Sequence, residues 1–533
     1  MVGDLWRMMN TGGFSAAIAA DIRHFNGGLF APGVHGPNEP LVVSTDELDL
    51  LILAAGKDWA NVEPAIFGTL LENALDDPQR AALGAHFTPR AFVERLVLPT
   101  IIEPLLTEWD GVKGAAFELE QAGKREEAAR AVSTFHGRLA TVRVLAPACG
   151  SGNFLYVAME LMKRLEGEVL DLLATLRPGE GDRLALAGAT VDPHNFLGLE
   201  KNPRAVPVAE LVLWIGWLQW HTRTAAGRAP PEPILKNFRN VREADALLTY
   251  ADEQPDRDAR GNPVTRWGGR TKLHPITGEK VPDETDSVLV LRPVGGKPAQ
   301  WPEADFIVGN PPFIGAKRLR ETLGEGYVEA LWHAYPKIPK SVDLVMFWWD
   351  KAARLLADKK ILSFGFITSN SLPQFYNRRV VARALSSSPP ISLAYAIPDH
   401  PWTQGENAAA VRISMTICRH GKHGGRLQTV TGEKFVGNDT WEIEFASLKG
   451  PIAADLSVAT DTTLPKPLQS NRRLCWQGCK LVGSGFQIKP AVAAGFLRQD
   501  TAAHSRLQAY WSGSKTLAAL GQAHEVAEGR YTS

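Results

Sequence analysis

The chain has 533 residues, 44% of them hydrophobic and 22% charged, with 58 basic and 58 acidic side chains. These fractions exclude disordered and fibrous classes, and the zero balance excludes a global polyelectrolyte. Four cysteines argue against a disulfide framework and for a reducing compartment.

The first 84 residues carry eleven acidic and four basic side chains and read as mostly helical. Asp46-Glu47 leads the apolar run Leu48 to Leu53, a helix-start pattern. Glu63 to Glu72 predicts another helix with Pro64 in its first turn. Phe92 to Leu106 and Ala115 to Arg138 predict two more. The pattern then changes to short β-type runs alternating with long amphipathic helices. Val142 to Leu145, Asn195 to Leu199 and Asp305 to Val308 read as strands, and Ser151 to Leu170 and Pro203 to Trp220 as helices. Such alternation predicts an α/β fold with a doubly wound parallel sheet. Residues 250–304, rich in Gly, Pro and charge, read as an inserted hairpin or long loop. The alternation resumes at Ile361 to Ile367, Ile391 to Ile397 and Ala410 to Cys418. Beyond about Lys449 the periodicity weakens, and residues 466–533 hold nine basic and three acidic side chains. A basic end on a neutral chain suggests contact with a polyanion, against the plainer reading of a solvated basic surface. The longest strongly apolar run, Leu211 to Trp220, falls short of the ~20 residues of a bilayer span. The N-terminus lacks the basic flank and apolar stretch of a signal peptide. The expectation is a cytoplasmic protein without a membrane partner.

Four short segments carry chemistry. Val144-Leu145-Ala146-Pro147-Ala148-Cys149-Gly150-Ser151-Gly152-Asn153-Phe154-Leu155 reads as strand, tight turn and helix start. Gly150 and Gly152 let the backbone turn sharply and a ligand lie against it, and the helix N-terminus offers free N–H groups. A dinucleotide fingerprint would place a third Gly at 155, where Leu155 stands, which disfavours a dehydrogenase. Cys149 has no placed base partner and reads as a small packing residue. Glu200 ends a strand where a carboxylate can accept from ribose hydroxyls, or it is a solvated strand-end group. Trp214, Trp217 and Trp220, three apart on the next helix, read as core packing. Asp245 ends a third strand-like run, where it can accept from an adenine amino group or be a solvated loop residue.

The most specific segment is Asp305-Phe306-Ile307-Val308-Gly309-Asn310-Pro311-Pro312-Phe313. Two prolines after a strand fix φ and remove N–H donors. The Asn310 side-chain carbonyl and the Pro311 backbone carbonyl can then accept from one exocyclic amino group, drawing its lone pair out of conjugation. Phe313 can stack on a flat heterocycle. No metal is needed.

Together these segments resemble the γ-class adenine-N6 DNA methyltransferases. Phe87-Thr88-Pro89, Pro147 to Leu155, Gly198-Leu199-Glu200, Asp245 and Asn310-Pro311-Pro312-Phe313 occur in that family's order. The similarity is to the methylase part of type IIG and IIL restriction–modification enzymes and related phage-defence methylases. It covers roughly residues 20 to 515. Flanking segments share it: Phe25 to Phe30, Ile66-Phe67-Gly68, Gly84-Ala85-His86 and Ile367 to Ser371. The resemblance implies a Rossmann-like sheet binding S-adenosyl-L-methionine, with Thr88 and Pro89 over its methionine part. It implies that Pro147, Ala148, Cys149, Gly150 and Gly152 line the cofactor, that Glu200 holds the ribose and that Asp245 holds the adenine amino group. Asn310, Pro311, Pro312 and Phe313 would hold and activate a target adenine flipped out of double-stranded DNA. The implied organisation is a helical region at 1–84, a catalytic domain at 85–449, and the start of a target-recognition region at 450–533.

Two departures bear on this organisation. Only 24 residues precede Phe25, too few for the nuclease of fused family members, and no Asp…Glu-x-Lys core is evident. Gln477 to Phe486 resembles the junction into a full recognition domain. Truncation at both ends and reliance on nuclease or specificity subunits both stay open. Cys475 and Cys479 lack two further ligands nearby, so no zinc site is expected. An RNA or protein-glutamine methyltransferase shares the Asn-Pro-Pro-aromatic pattern. A non-catalytic DNA-binding remnant or subunit is the reading from another class.

Overall fold

The computed structural model of the chain describes residues 2–16, 19–24, 44–57, 62–68, 88–179, 190–224, 240–258, 260–268, 270–274, 280–402, 411–437, 440–458, 498, 508–510 and 530–532. The expected segments at 25–30, 84–87 and 477–486, and Cys475 and Cys479, lie outside these residues. The chain divides into two units, Met1–Asp461 and Thr462–Ser533.

Helix α1 (Val2–Thr11) leads into an antiparallel pair, β1 (Gly13–Ser15) and β2 (Ala20–Ile22), an addition to the helices expected here. Helix α2 (Thr45–Ala55) starts at a reciprocal cap. The Ser44 hydroxyl accepts from the Glu47 N–H, and the Glu47 carboxylate accepts from the Ser44 N–H at 2.7 Å. Of the expected helix at Glu63 to Glu72, residues 66–68 are described and helical.

The next helices differ from expectation in where they break. Helix α3 (Arg90–Val97) continues through a π-helical turn at Leu98–Ile102 into α4 (Glu103–Gln121), and α5 is Arg125–Thr141. The π turn holds Pro99, which has no N–H to give the regular ladder. The expected gap before Ala115 is bridged because Leu105, Trp109 and Ala116 are buried on one helix. The break comes instead at Gly123, whose φ of +76° ends α4 in the left-handed conformation.

The core alternation is strand β3 (Val144–Ala146), α6 (Asn153–Leu176), β4 (Phe196–Glu200), α7 (Ala205–Thr224) and β5 (Val241–Glu243). Between 248 and 298 the described residues then form nested antiparallel pairs. β6 (Leu248–Thr249), β7 (Asp252–Pro255), β8 (Thr265–Trp267) and β9 (Thr271–Leu273) run out. β10 (Lys280–Pro282), β11 (Ser287–Leu289), β12 (Leu291–Val294) and β13 (Lys297–Pro298) return beside them. Strand β14 (Phe306–Gly309) re-enters the sheet, followed by α8 (Leu319–Leu323), α9 (Glu325–Ala334), α10 (Val345–Ala357), β15 (Ser363–Ser369) and α11 (Phe375–Leu385). The last strands of the sheet are β16 (Ile391–Pro401), β17 (Arg412–His420), β18 (Gly425–Gly437) and β19 (Thr440–Gly450).

Nine strands join in the order β19-β18-β16-β17-β15-β14-β3-β4-β5. From β15 to β5 all neighbours are parallel. The all-parallel expectation fails beyond β15: β17 runs antiparallel to both β15 and β16, and β18 and β19 form an antiparallel hairpin. The sheet is therefore mixed.

Each inner strand is buried on both faces. Val144, Ala146, Phe306 and Val308 join a cluster with α3 to α7, while Leu145, Ile307, Phe364 and Phe366 join one with α9 to α11. Two-sided burial is why these strands read as continuous apolar runs. Ile452, Ala454 and Leu456, past the expected boundary at 449, are buried in the second cluster. In the second unit, β20 (Gln508–Tyr510) pairs antiparallel with β21 (Arg530–Thr532). No helix among the described residues is long and apolar enough to cross a membrane.

Candidate active site

The parallel strands β5, β4, β3 and β14 end on one edge of the sheet. The chain leaves β3 for β4 on one side and later inserts β14 on the other, so a crevice opens at β3, where open α/β sheets bind ligands.

The glycine turn fills the β3 end of that crevice. Gly150 and Gly152 have φ of +54° and +85°, a conformation that costs a residue with a Cβ. A Cβ on Gly152 would also lie 3.1 Å from Ala209 Cα, so this glycine lets α6 start hard against α7. The Cys149 N–H donates to the Leu199 carbonyl at 3.1 Å, prolonging the β3–β4 pairing into the turn. The Pro147 carbonyl accepts from Trp348 Nε1 on α10. Ala148 packs against the second cluster. Cys149 is buried, and burial, followed by the neighbouring Glu200 charge, pushes its thiol well up. Its sulfur occupies the space a side chain at Gly198 would need. This is a packing thiol, not a nucleophile. Gly68 lies against Ser151 of the turn, where any Cβ would strike the hydroxyl.

Two carboxylates follow, with different surroundings. Glu200 accepts from the Gly150 N–H and the Asn202 N–H, each at 2.8 Å, and burial raises its pKa despite those bonds. Each of its oxygens keeps acceptor capacity. Asp245 is saturated. One oxygen accepts from the Leu247 and Leu248 N–H groups, the other from Lys201 Nζ at 2.9 Å and the Tyr327 hydroxyl at 2.8 Å. Burial works against the charge of Asp245, but Lys201 and these donors outweigh it and lower its pKa. Lys201 is half exposed and can move.

At the end of β14, Asn310 reaches back across the crevice. Its Nδ2 donates to the Thr88 hydroxyl at 3.1 Å. Its Oδ1 is buried and meets no donor among the described residues. Thr88, itself buried, accepts at its carbonyl from Asn153 Nδ2 at 2.6 Å. Pro311 is buried, Pro312 half-buried, and Phe313 packs partly against the first cluster. Pro89 is the cap residue of α3, and its carbonyl takes the first helical bonds, from Phe92 and Val93. The chain after Phe313 is pinned by Asp343. Its Oδ1 accepts from the Ala316 N–H at 3.3 Å, and the Leu344 N–H donates to the Ile314 carbonyl at 2.9 Å. Asp343 Oδ2 accepts from Ser369, Ser371 and Asn377, tying in the Ile367 to Ser371 segment.

The structure thus brings together Thr88, the Pro147–Gly152 turn, Glu200, Asp245 and Asn310, which are far apart in the chain. Sequence reasoning missed Asn153, Trp348, Asp343 and Asn377. Asn153 carried a signal, a polar residue at the first turn of a helix after a glycine turn. The others touch the site across long sequence separations and had none. Among the described residues no cluster of three or more His, Cys, Asp or Glu could hold a metal ion.

The family described as MmeI, DNA-methyltransferase domain, matches residues 119–427, more than half of the chain. DNA methyltransferase A of Bacillus subtilis is 23% identical over 327 residues, covering 61% of this chain and 30% of that protein. A protein of Methanocaldococcus jannaschii, named as a type II restriction enzyme and methyltransferase, is 26% identical over 262 residues. That match covers 44% of this chain and 21% of the relative. The solved structure of the type IIL restriction–modification enzyme MmeI in complex with DNA superposes with a TM-score of 0.66 at 20% identity, covering 100% of this chain and 62% of that one. The chain therefore spans a third or less of the two relatives' lengths.

Proposed function

The chain belongs to the MmeI DNA-methyltransferase domain family, and from that premise we propose that it moves a methyl group from S-adenosyl-L-methionine to the N6 amino group of adenine in double-stranded DNA. The setting is a restriction–modification or phage-defence system in the cytoplasm, with nuclease or specificity functions supplied by further segments or subunits. Residues 85–449 would be the catalytic domain, 1–84 a helical lead-in and 450–533 the start of the target-recognition region.

One observation carries this reading: the buried Asn310 Oδ1 has no donor among the described residues, although its own Nδ2 is fixed. A buried acceptor left unpaired is costly unless a ligand brings the donor. An exocyclic amino group supplies one. With its hydrogens on Asn310 Oδ1 and the Pro311 carbonyl, its lone pair is released from the ring. Phe313 gives the flipped base a face to stack on.

When bound, S-adenosylmethionine supplies the electrophilic methyl carbon. The residues present fit it. Gly150, where an added Cβ would meet nothing within 4 Å, leaves a bare backbone face at the turn before α6, and Glu200 has lone pairs free for ribose hydroxyls. Asp245 can take an adenine amino group once Lys201 swings away. Thr88 and Pro89 would close over the cofactor's methionine part. Asn310 and Pro311 would hold the adenine nitrogen with its lone pair toward the methyl group that the cofactor would supply. The protein's share is placement and orientation of the two reactants.

The test is calorimetric titration with S-adenosylmethionine beside an Asp245→Ala control, followed by tritium transfer to unmethylated genomic DNA, RNA and protein. Binding that weakens in the control and label in N6-methyladenine support the reading. Absence of binding, or label on RNA or glutamine, overturns it.

A further inference from the structure

We propose that Asn153 is a positioning residue for methyl transfer: it fixes Thr88, and Thr88 in turn holds the Asn310 amide in place beside the target. The inference rests on the Asn310 chemistry proposed above.

A side-chain amide has a donor end and an acceptor end of nearly the same shape. Rotated by half a turn, Asn310 would present its NH2 group to the NH2 group of adenine, and the lone pair would not be released. A hydroxyl can donate or accept, so Thr88 fixes where this amide lies and not its sense. Nδ2 donates to the Thr88 hydroxyl at 3.1 Å, and that bond holds the amide in place with Oδ1 turned away from Thr88.

Thr88 needs its own anchor. It lies just before Pro89, outside helix α3, and the first helical bonds of α3 go to the Pro89 carbonyl. The Thr88 carbonyl therefore has no helical partner. Asn153, the first residue of α6, provides one through Nδ2 at 2.6 Å, across 65 residues of sequence. The same turn that places the cofactor glycines thus places the hydroxyl that holds the catalytic amide.

Asn153 serves Thr88 with one end of its amide only. It is 6% exposed, and its Oδ1 is buried with no donor among the described residues. An apolar residue of similar volume would remove that unpaired acceptor but leave the buried Thr88 carbonyl without its donor. The fold pays for keeping an amide here, and the bond to Thr88 is what that amide provides.

The experiment uses the full chain as wild type, Asn153→Leu, Thr88→Val and Thr88→Ser. Asn153→Leu is expected to lower kcat at saturating S-adenosylmethionine by about tenfold to a hundredfold. Its calorimetric Kd for the cofactor should stay within about threefold, and its Tm should fall with kcat, because the buried Thr88 carbonyl loses its donor. Thr88→Val should lower kcat similarly, and Thr88→Ser, which keeps the hydroxyl, should recover most of it. A weakened Kd with kcat intact would make Asn153 a cofactor ligand and overturn the proposal, as would a lowered Tm with kcat intact. Hydrogen exchange gives a readout independent of catalysis. Amides of the 88–97 segment should exchange faster in Asn153→Leu, and an unchanged rate sinks the anchoring step. If the wild type transfers no methyl group, the proposed function falls, and the exchange measurement still decides whether Asn153 holds Thr88.

Discussion

The two sides of the crevice differ in what they leave unpaired. On the β4–β5 side the polar groups are largely satisfied by the protein itself: Glu200 holds two backbone N–H groups, and Asp245 holds four donors. On the β14 side the decisive acceptor, Asn310 Oδ1, has none among the described residues. The first side is a mould whose shape is fixed by its own hydrogen bonds. The second is held open at one atom, with its position borrowed from Thr88. On the proposed function, the first side would hold the cofactor by parts remote from its methyl group, and the second would need its acceptor waiting for the target.

The largest expected effect tests the open side. Asn310→Ala should reduce methyl transfer by about 10²–10³-fold while cofactor binding measured by calorimetry stays intact, the scale seen when one preorganised group at a reacting centre is lost. Retained transfer in this variant would erase the contrast.

The next tests the mould. Gly152→Ala must place a Cβ 3.1 Å from Ala209 at a φ of +85°. Denaturant unfolding should show a loss of about 1–3 kcal/mol, with cofactor affinity reduced at least about tenfold. Gly150→Ala meets nothing within 4 Å and carries only the penalty of its positive φ, so it should cost less.

A third concerns pH. Burial pushes Glu210, on α7 behind the glycine turn, up to about 7. Its folded value thus lies above its unfolded one, near ~4.3. The favourable contribution of this group is fully present below the unfolded value and is lost as pH rises toward 7. Glu210→Gln should therefore be more stable than wild type at pH 8 by about 1–3 kcal/mol, with the difference disappearing near pH 4. Equal stability of the two proteins from pH 4 to 8 in urea melts would refute the burial argument.

The smallest effect sharpens the Asp245 comparison. Lys201→Ala frees one acceptor site on Asp245 and should tighten cofactor binding by less than about fivefold, the range of an exposed ion pair. Weaker binding would mean that Lys201 holds Asp245 in its useful pose.

Much of the site was legible along the chain because its parts are local. A strand, a glycine turn and a helix start occupy Val144 to Asn153, and the Asn-Pro-Pro-Phe run declares its own stiffness. Strand ends were placed within one or two residues where apolar runs stopped, as at Phe196–Glu200 and Phe306–Gly309. The helices before β3 were misdivided, since nothing in the composition of residues 107–114 says that Trp109 will be buried. The parallel sense of the sheet was over-extended to β17, because strand direction depends on how the chain returns and not on what the strand contains.

The sequence by itself determined the repertoire: an α/β alternation, two glycines for a sharp turn, strand-end carboxylates and a rigid amide-bearing loop. Those follow from backbone sterics and short-range periodicity. The tertiary structure alone decided how the parts act on one another. Asn153 meets Thr88, Asn310 meets Thr88 across 222 residues, Trp348 meets Pro147 across 201, and Asp343 gathers Ser369, Ser371 and Asn377. Hydrogen bonds act over about 3 Å, so only the packing of sheet and helices can determine which donor finds which acceptor.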